Sequence, residues 1–162
     1  MIAIISTLAF VGRILCQPLP NIQPVTAILI LVTFYLGTVN GLYVAILSIG
    51  ISNIFLGIGP WTLYQIASFL MIILLTGFCV KPFYRVNSMK NRVMMALFAG
   101  FSGLLYGFVI SIFYVITFRM SSFWAYYIQG LPFDFLHALG NITFYLILEP
   151  LLAPMFQKIN IK

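Results

Sequence analysis

Residues 14–80 read ILCQPLPNIQPVTAILILVTFYLGTVNGLYVAILSIGISNIFLGIGPWTLYQIASFLMIILLTGFCV, and none of these 67 positions is Asp, Glu, Lys or Arg. A helix needs about 20 apolar residues to cross the hydrocarbon of a bilayer, so this stretch alone has room for three crossings. The flanks share its character: over all 162 residues, 63% are hydrophobic, 17% aromatic and only 6% charged, with a mean hydropathy of +1.14. A soluble surface carries charge at about a quarter of its positions, which so few charges cannot provide. The sequence therefore predicts an all-α integral membrane protein, one domain over residues 1–162.

Proline and glycine divide the apolar sequence into about six spans: Met1–Leu15, Pro24–Thr38, Gly41–Leu56, Thr62–Val80, Val93–Phe118 and Phe133–Phe156. The breaks are Pro18 and Pro20, Asn40-Gly41, Gly57-Ile-Gly59-Pro60, and Gly130-Leu-Pro132. The second span is short for a bilayer and is expected to lie partly inside the protein; the fifth is long and expected to tilt. The N-terminus lacks a basic leader region and reads as the first span.

Sidedness follows from the basic residues. Lys81, Arg85, Lys90 and Arg92 fall in one connection, and Lys158 and Lys162 near the C-terminus. With six spans these groups and the N-terminus share one side, the cytoplasm by the positive-inside rule. Scattered cations of this kind cannot track a phosphate backbone, which excludes nucleic acid. Cys16 and Cys79 sit at the ends of different spans, so neither a disulfide framework nor a zinc site is expected.

Polar side chains gather on the opposite side. The outer connections hold Gln17, Asn21, Gln23 and Thr26; then Trp61, Thr62, Tyr64 and Gln65; then Trp124, Tyr126, Tyr127, Gln129 and Asp134. Amides, hydroxyls and aromatics so placed are the tools for recognising a water-soluble molecule. Asp134, His137 and Asn141 share one helical stripe. They form either a ligand-facing wall or an N-cap at Asp134 with His137 satisfied internally. Arg13 either snorkels to the headgroups or turns inward to pair with Asp134. Trp61 and Gln65, four apart, share a face that points to a pocket, whereas Trp124 to Tyr127 fit an interfacial belt or a lid. Ala99, Gly103 and Gly107 recur every fourth residue, a spacing for close helix packing within the protein.

No HExxH, GxSxG or Walker motif occurs, and no internal inverted repeat or mid-depth ion-coupling carboxylate is visible. The chain is not expected to be an enzyme or a self-powered transporter.

Arg13, the segment Leu19-Pro-Asn21-Ile-Gln-Pro-Val-Thr26-Ala-Ile, the run Leu47-Ser-Ile-Gly-Ile-Ser52-Asn53-Ile-Phe-Leu-Gly57 and Gly59-Pro60-Trp61-Thr62-Leu-Tyr-Gln65 together resemble the substrate-binding S-component of energy-coupling factor (ECF) vitamin transporters, most closely the cobalamin branch. The first half of the chain carries the motifs; the second half matches in helix count and loop character. The resemblance implies high-affinity capture of a vitamin, cobalamin or another such as pantothenate, outside a bacterial plasma membrane. It implies a transmembrane coupling subunit and two cytoplasmic ATPases as partners, with the vitamin as cargo and no cofactor or metal.

The candidate substrate-binding set is Arg13, Asn21, Gln23, Thr26, Asn53, Trp61, Gln65, Tyr127, Asp134, His137 and Asn141. The family often docks its coupling subunit through an Ala-x-x-x-Ala pair on the first helix, and Ala3-x-x-x-Thr7 stands near that place. Two other classes compete: a small membrane scaffold of the rod-shape morphogenesis kind, and a lipid-modifying enzyme. A scaffold leaves the outer cluster of Asn, Gln and Trp without a purpose, and an enzyme lacks its catalytic group.

Overall fold

The computed structural model describes residues 1–83 and 89–160; Arg85 and Lys162, both used in the charge map, lie outside the described residues. Six helices follow one another: α1 (Ile2–Leu15), α2 (Val25–Leu36), α3 (Thr38–Leu56), α4 (Trp61–Leu74), α5 (Met89–Thr117) and α6 (Phe123–Asn160). A π-helical turn, Leu75–Val80, and a 3-10 turn, Lys81–Phe83, extend α4. No strand occurs among the described residues.

Length separates the helices into two groups. The segments Thr38–Leu56, Trp61–Phe83, Met89–Thr117 and Phe123–Lys158 are long and apolar enough to cross a membrane. The 12 residues of α2 reach only about 18 Å, against a hydrocarbon core of about 30 Å. This helix is the core of the bundle. Val25 to Val32 are all within 1% of complete burial, and α2 touches α1, α3, α4, α5 and α6. Lipid tails are as apolar as leucine, so what holds α2 in place is close packing and hydrogen bonding rather than escape from water.

Three boundaries differ from the sequence reading, each for a physical reason. Gly37 alone separates α2 from α3. Its φ of 98° is open to glycine at no steric cost and ends α2 before Thr38. Asn40 and Gly41, expected to form the break, lie inside α3. There Asn40 Nδ2 donates to the free Leu36 carbonyl at 2.7 Å, and Gly41 fits against Thr33, whose hydroxyl a Cβ would strike. The third difference is α6, which begins at Phe123 and not Phe133, with Pro132 in its interior. Pro132 forfeits one backbone bond to Ile128, yet the helix runs on through it, held along its length against α5. Asp134 is therefore mid-helix and not an N-cap.

The fifth and sixth helices meet through the small-residue ridge. A Cβ on Gly103 would come within 2.6 Å of the Ala138 backbone, and one on Gly100 within 2.7 Å of Ile142. A Cβ on Gly107 would strike the Asp134 carboxylate. Ala99 is fully buried beside them. The stripe thus serves internal packing, as its spacing implied, and it fixes the depth at which Asp134 sits.

Candidate functional site

Three connections converge at one end of the bundle. Tyr64, in the first turn of α4, donates from its hydroxyl to Thr117 Oγ1 at 2.6 Å, joining that end to the last residue of α5. Asn21, between α1 and α2, donates from Nδ2 to the Phe133 carbonyl at 3.0 Å. It holds φ 58°, a left-handed conformation that asparagine tolerates better than most residues. That turn aims its carbonyl at α6, where His137 Nδ1–H donates to it at 2.8 Å. His137 Nε2 is thereby the acceptor, and the Thr26 hydroxyl supplies the proton at 3.0 Å. The imidazole also stacks on Tyr106, with ring centroids 5.0 Å apart.

A second group forms around Arg13. Its guanidinium donates to Ser52 Oγ at 2.6 Å and to Gln65 Oε1 at 3.3 Å. Asn53 Nδ2 donates to the same Gln65 oxygen and to Thr62 Oγ1, each at 2.9 Å. Arg13 is only 9% exposed, so it turns inward and does not snorkel. It does not pair with Asp134. The ion pair among the described residues is Arg92 Nε to Glu149 at 3.0 Å, on segments far along the chain from this cluster.

Two cavities open between these groups. The larger, about 400 Å³, is lined by Tyr126, Gln129, Gly130, Phe133 and Asp134 of α6 and by Gly107, Ile110 and Ser111 of α5. The smaller, about 190 Å³, is lined by Arg13, Cys16, Leu19, Ile22 and Gln23. Asn21, Gln65 and Tyr106 line both, so the two adjoin as lobes of one basin. The larger lobe presents a carboxylate, the smaller a guanidinium, and amides and a phenol stand between them.

Of the residues singled out in the sequence, Arg13, Asn21, Gln23, Gln65 and Asp134 come together around this basin. Thr26, Asn53 and His137 stand behind it, their polar atoms engaged in holding Asn21 and Gln65. Trp61 and Tyr127 are not among the lining residues. The Trp61 indole folds back over Gly59 and donates to the Gly57 carbonyl at 3.2 Å; Tyr127 stacks on Phe123 at 5.7 Å. Asn141 is fully buried, and neither its Nδ2 nor its Oδ1 finds a partner among the described residues. Ala3 and Thr7 lie exposed on the outer face of α1, with the Thr7 hydroxyl bonded to the Ala3 carbonyl at 2.9 Å.

Tyr106, which lines both lobes, is a basin residue that the sequence did not reveal, being one aromatic within a long apolar run; Ser111 of the larger lobe is another. For Tyr106, the position one residue before Gly107 was the available signal, because the glycine ridge brings α6 against that side of α5.

A polar basin bearing both signs of charge, set into the end of an apolar helix bundle, defines a membrane-embedded binding protein. The chain belongs to the family described as ECF transporter, substrate-specific component, whose family model matches residues 1–149. Comparison with curated proteins and with solved structures gave no match. Members of this family are binding subunits of a transporter rather than enzymes, and they work with a coupling subunit and ATPases.

Proposed function

We propose that this S-component captures a small water-soluble vitamin, or a vitamin precursor, from outside the cell and passes it to the coupling subunit and ATPases. The observation that carries the reading is the two-lobed basin shared by Arg13, Asn21, Gln65, Tyr106 and Asp134. Binding sites for small organic molecules span about 300–1,000 Å³, and the larger lobe of about 400 Å³ falls within that range. Lys81, Lys90 and Arg92 lie toward the other end of the bundle, which supports reading the basin as the external face under the positive-inside rule.

Cobalamin, to which the sequence motifs point, is larger than the two lobes together. Its capture would require the basin to widen. A molecule the size of pantothenate needs no such movement, and the geometry supports it better. The exposed Ala3–Thr7 strip on α1 is the proposed docking surface for the coupling subunit, since small residues let a partner helix approach closely.

Purification in mild detergent followed by mass spectrometry of released small molecules tests the reading. A vitamin-sized molecule in stoichiometric amount, with the coupling subunit and ATPases in the same complex, is the expected result. Saturable binding of cobalamin to the purified chain would replace the small-vitamin reading. Recovery with cell-wall machinery and no small molecule would overturn the transport reading in favour of a scaffold.

A further inference from the structure

Resting on the vitamin-capture reading, we infer that the smaller lobe is an oxyanion subsite, in which Arg13 binds a carboxylate or phosphate group of the captured molecule. A guanidinium offers five N–H donors in a planar fork. Arg13 commits donors to Ser52 and Gln65, both neutral, and no carboxylate pairs with it among the described residues. A cation that is 9% exposed and lacks a counter-charge is costly to bury. It lines a cavity of about 190 Å³, with room for a compact anionic group. An anion there supplies the missing charge through a charge-assisted, bidentate contact of the kind that favours arginine.

Asp134 sets the direction of binding. It is 6% exposed, lines the larger lobe and has no hydrogen-bond or ion-pair partner among the described residues. Its carboxylate repels an anion from the larger lobe and accepts a hydrogen bond from a hydroxyl, amide or ammonium group. The captured molecule is therefore bipolar, with an acid at one end and a donor toward the other, and it enters in one orientation. The Arg13 contacts with Ser52 and Gln65 hold the fork in place for this purpose; a purely structural arginine would need no adjoining cavity.

Matched probes test the subsite on the full-length protein in lipid nanodiscs: pantothenate against pantothenol, nicotinate against nicotinamide, biotin against biotinamide, and pyridoxal phosphate against pyridoxal. Equilibrium binding is measured for each, together with the melting temperature of the empty protein. At least one acid is expected to bind about ten- to a hundredfold more tightly than its neutral partner. Whether the preference appears in a carboxylate pair or in the phosphate pair identifies the oxyanion.

Arg13→Gln is expected to reduce that acid to the affinity of its neutral partner, and Arg13→Lys to restore part of the preference, since lysine returns the charge without the fork. If Arg13→Gln does not fold, the acid-to-neutral ratio of the unaltered protein decides alone. Equal binding within every pair, or no binding of any acid, overturns the oxyanion subsite. Recovery of the coupling subunit is scored in parallel. Its presence with no acid preference rejects the subsite and leaves the transport reading intact; its absence rejects the transport reading whatever the probes show.

Discussion

His137 and Thr26 meet across 111 positions of sequence, with Nε2 and Oγ1 3.0 Å apart and both side chains fully buried. The contact ties α6 to the first turn of α2, and the other ring nitrogen ties α6 to Asn21. One imidazole thus fixes the loop that forms part of the wall of both lobes. Thr26→Val keeps the shape and removes the hydroxyl, leaving a buried acceptor unsatisfied at a cost of about 1–3 kcal/mol. A lowered melting temperature in detergent is the expected readout; an unchanged one would mean that this bond contributes nothing to stability.

Asn21 separates backbone from side chain. Asn21→Gly keeps the positive φ and the carbonyl that receives His137, but removes the amide that faces both lobes and bonds Phe133. It should fold and capture its vitamin more weakly. Asn21→Val, forced into the same φ, should lose about 1–2 kcal/mol of stability as well. Equal melting temperatures for the two variants would show that the left-handed turn is not retained.

The glycine ridge makes a graded prediction. Gly103→Ala places a Cβ 2.6 Å from the Ala138 backbone, and overpacking of this kind costs about 1–3 kcal/mol. Gly50→Ala, inside α3 with nothing within 4 Å of its Cβ, should be neutral or stabilising by up to about 1 kcal/mol. Thermal unfolding of the pair checks the difference, and destabilisation of both by the same amount would contradict it.

Trp61 and Ala3 test surfaces rather than the basin. Trp61→Ala should leave vitamin binding within about twofold, because a loss of less than 0.5 kcal/mol is typical of substitutions away from a site; a tenfold loss would place the indole at the ligand. Ala3→Trp should lower recovery of the coupling subunit while binding stays unchanged. Undiminished recovery would move the docking surface elsewhere.

Much of the fold could be read before the structure. The uncharged run from Ile14 to Val80 required membrane helices, and the breaks at Pro18 to Pro20 and at Gly57 to Pro60 stand where they were expected. The α6 boundary was not readable, because Gly130 and Pro132 are breakers by local preference, and the packing on α5 that carries the helix through them leaves no mark in the local sequence. Gly37 was passed over for Asn40-Gly41, since a dipeptide typical of turns carries no mark of the Thr33 side chain it packs against. Within the site, Arg13, Asn21, Gln65 and Asp134 were visible as polar residues in apolar surroundings. Trp61 was expected at the pocket and is not among the lining residues, because helical spacing from Gln65 gives a shared face, not the direction in which an indole folds. Tyr106 was hidden because aromatic residues are commonplace in spans, and its place one residue before Gly107 was the one mark it carried.

Because five neighbouring helices wall off α2, its strongly apolar sequence answers to protein packing and not to solvation by acyl chains. Thinner or thicker lipid would then be met by tilting of the outer helices around an unmoved spindle. Joined to that spindle through Thr26, the mouth of the protein would keep its shape in membranes of quite different composition.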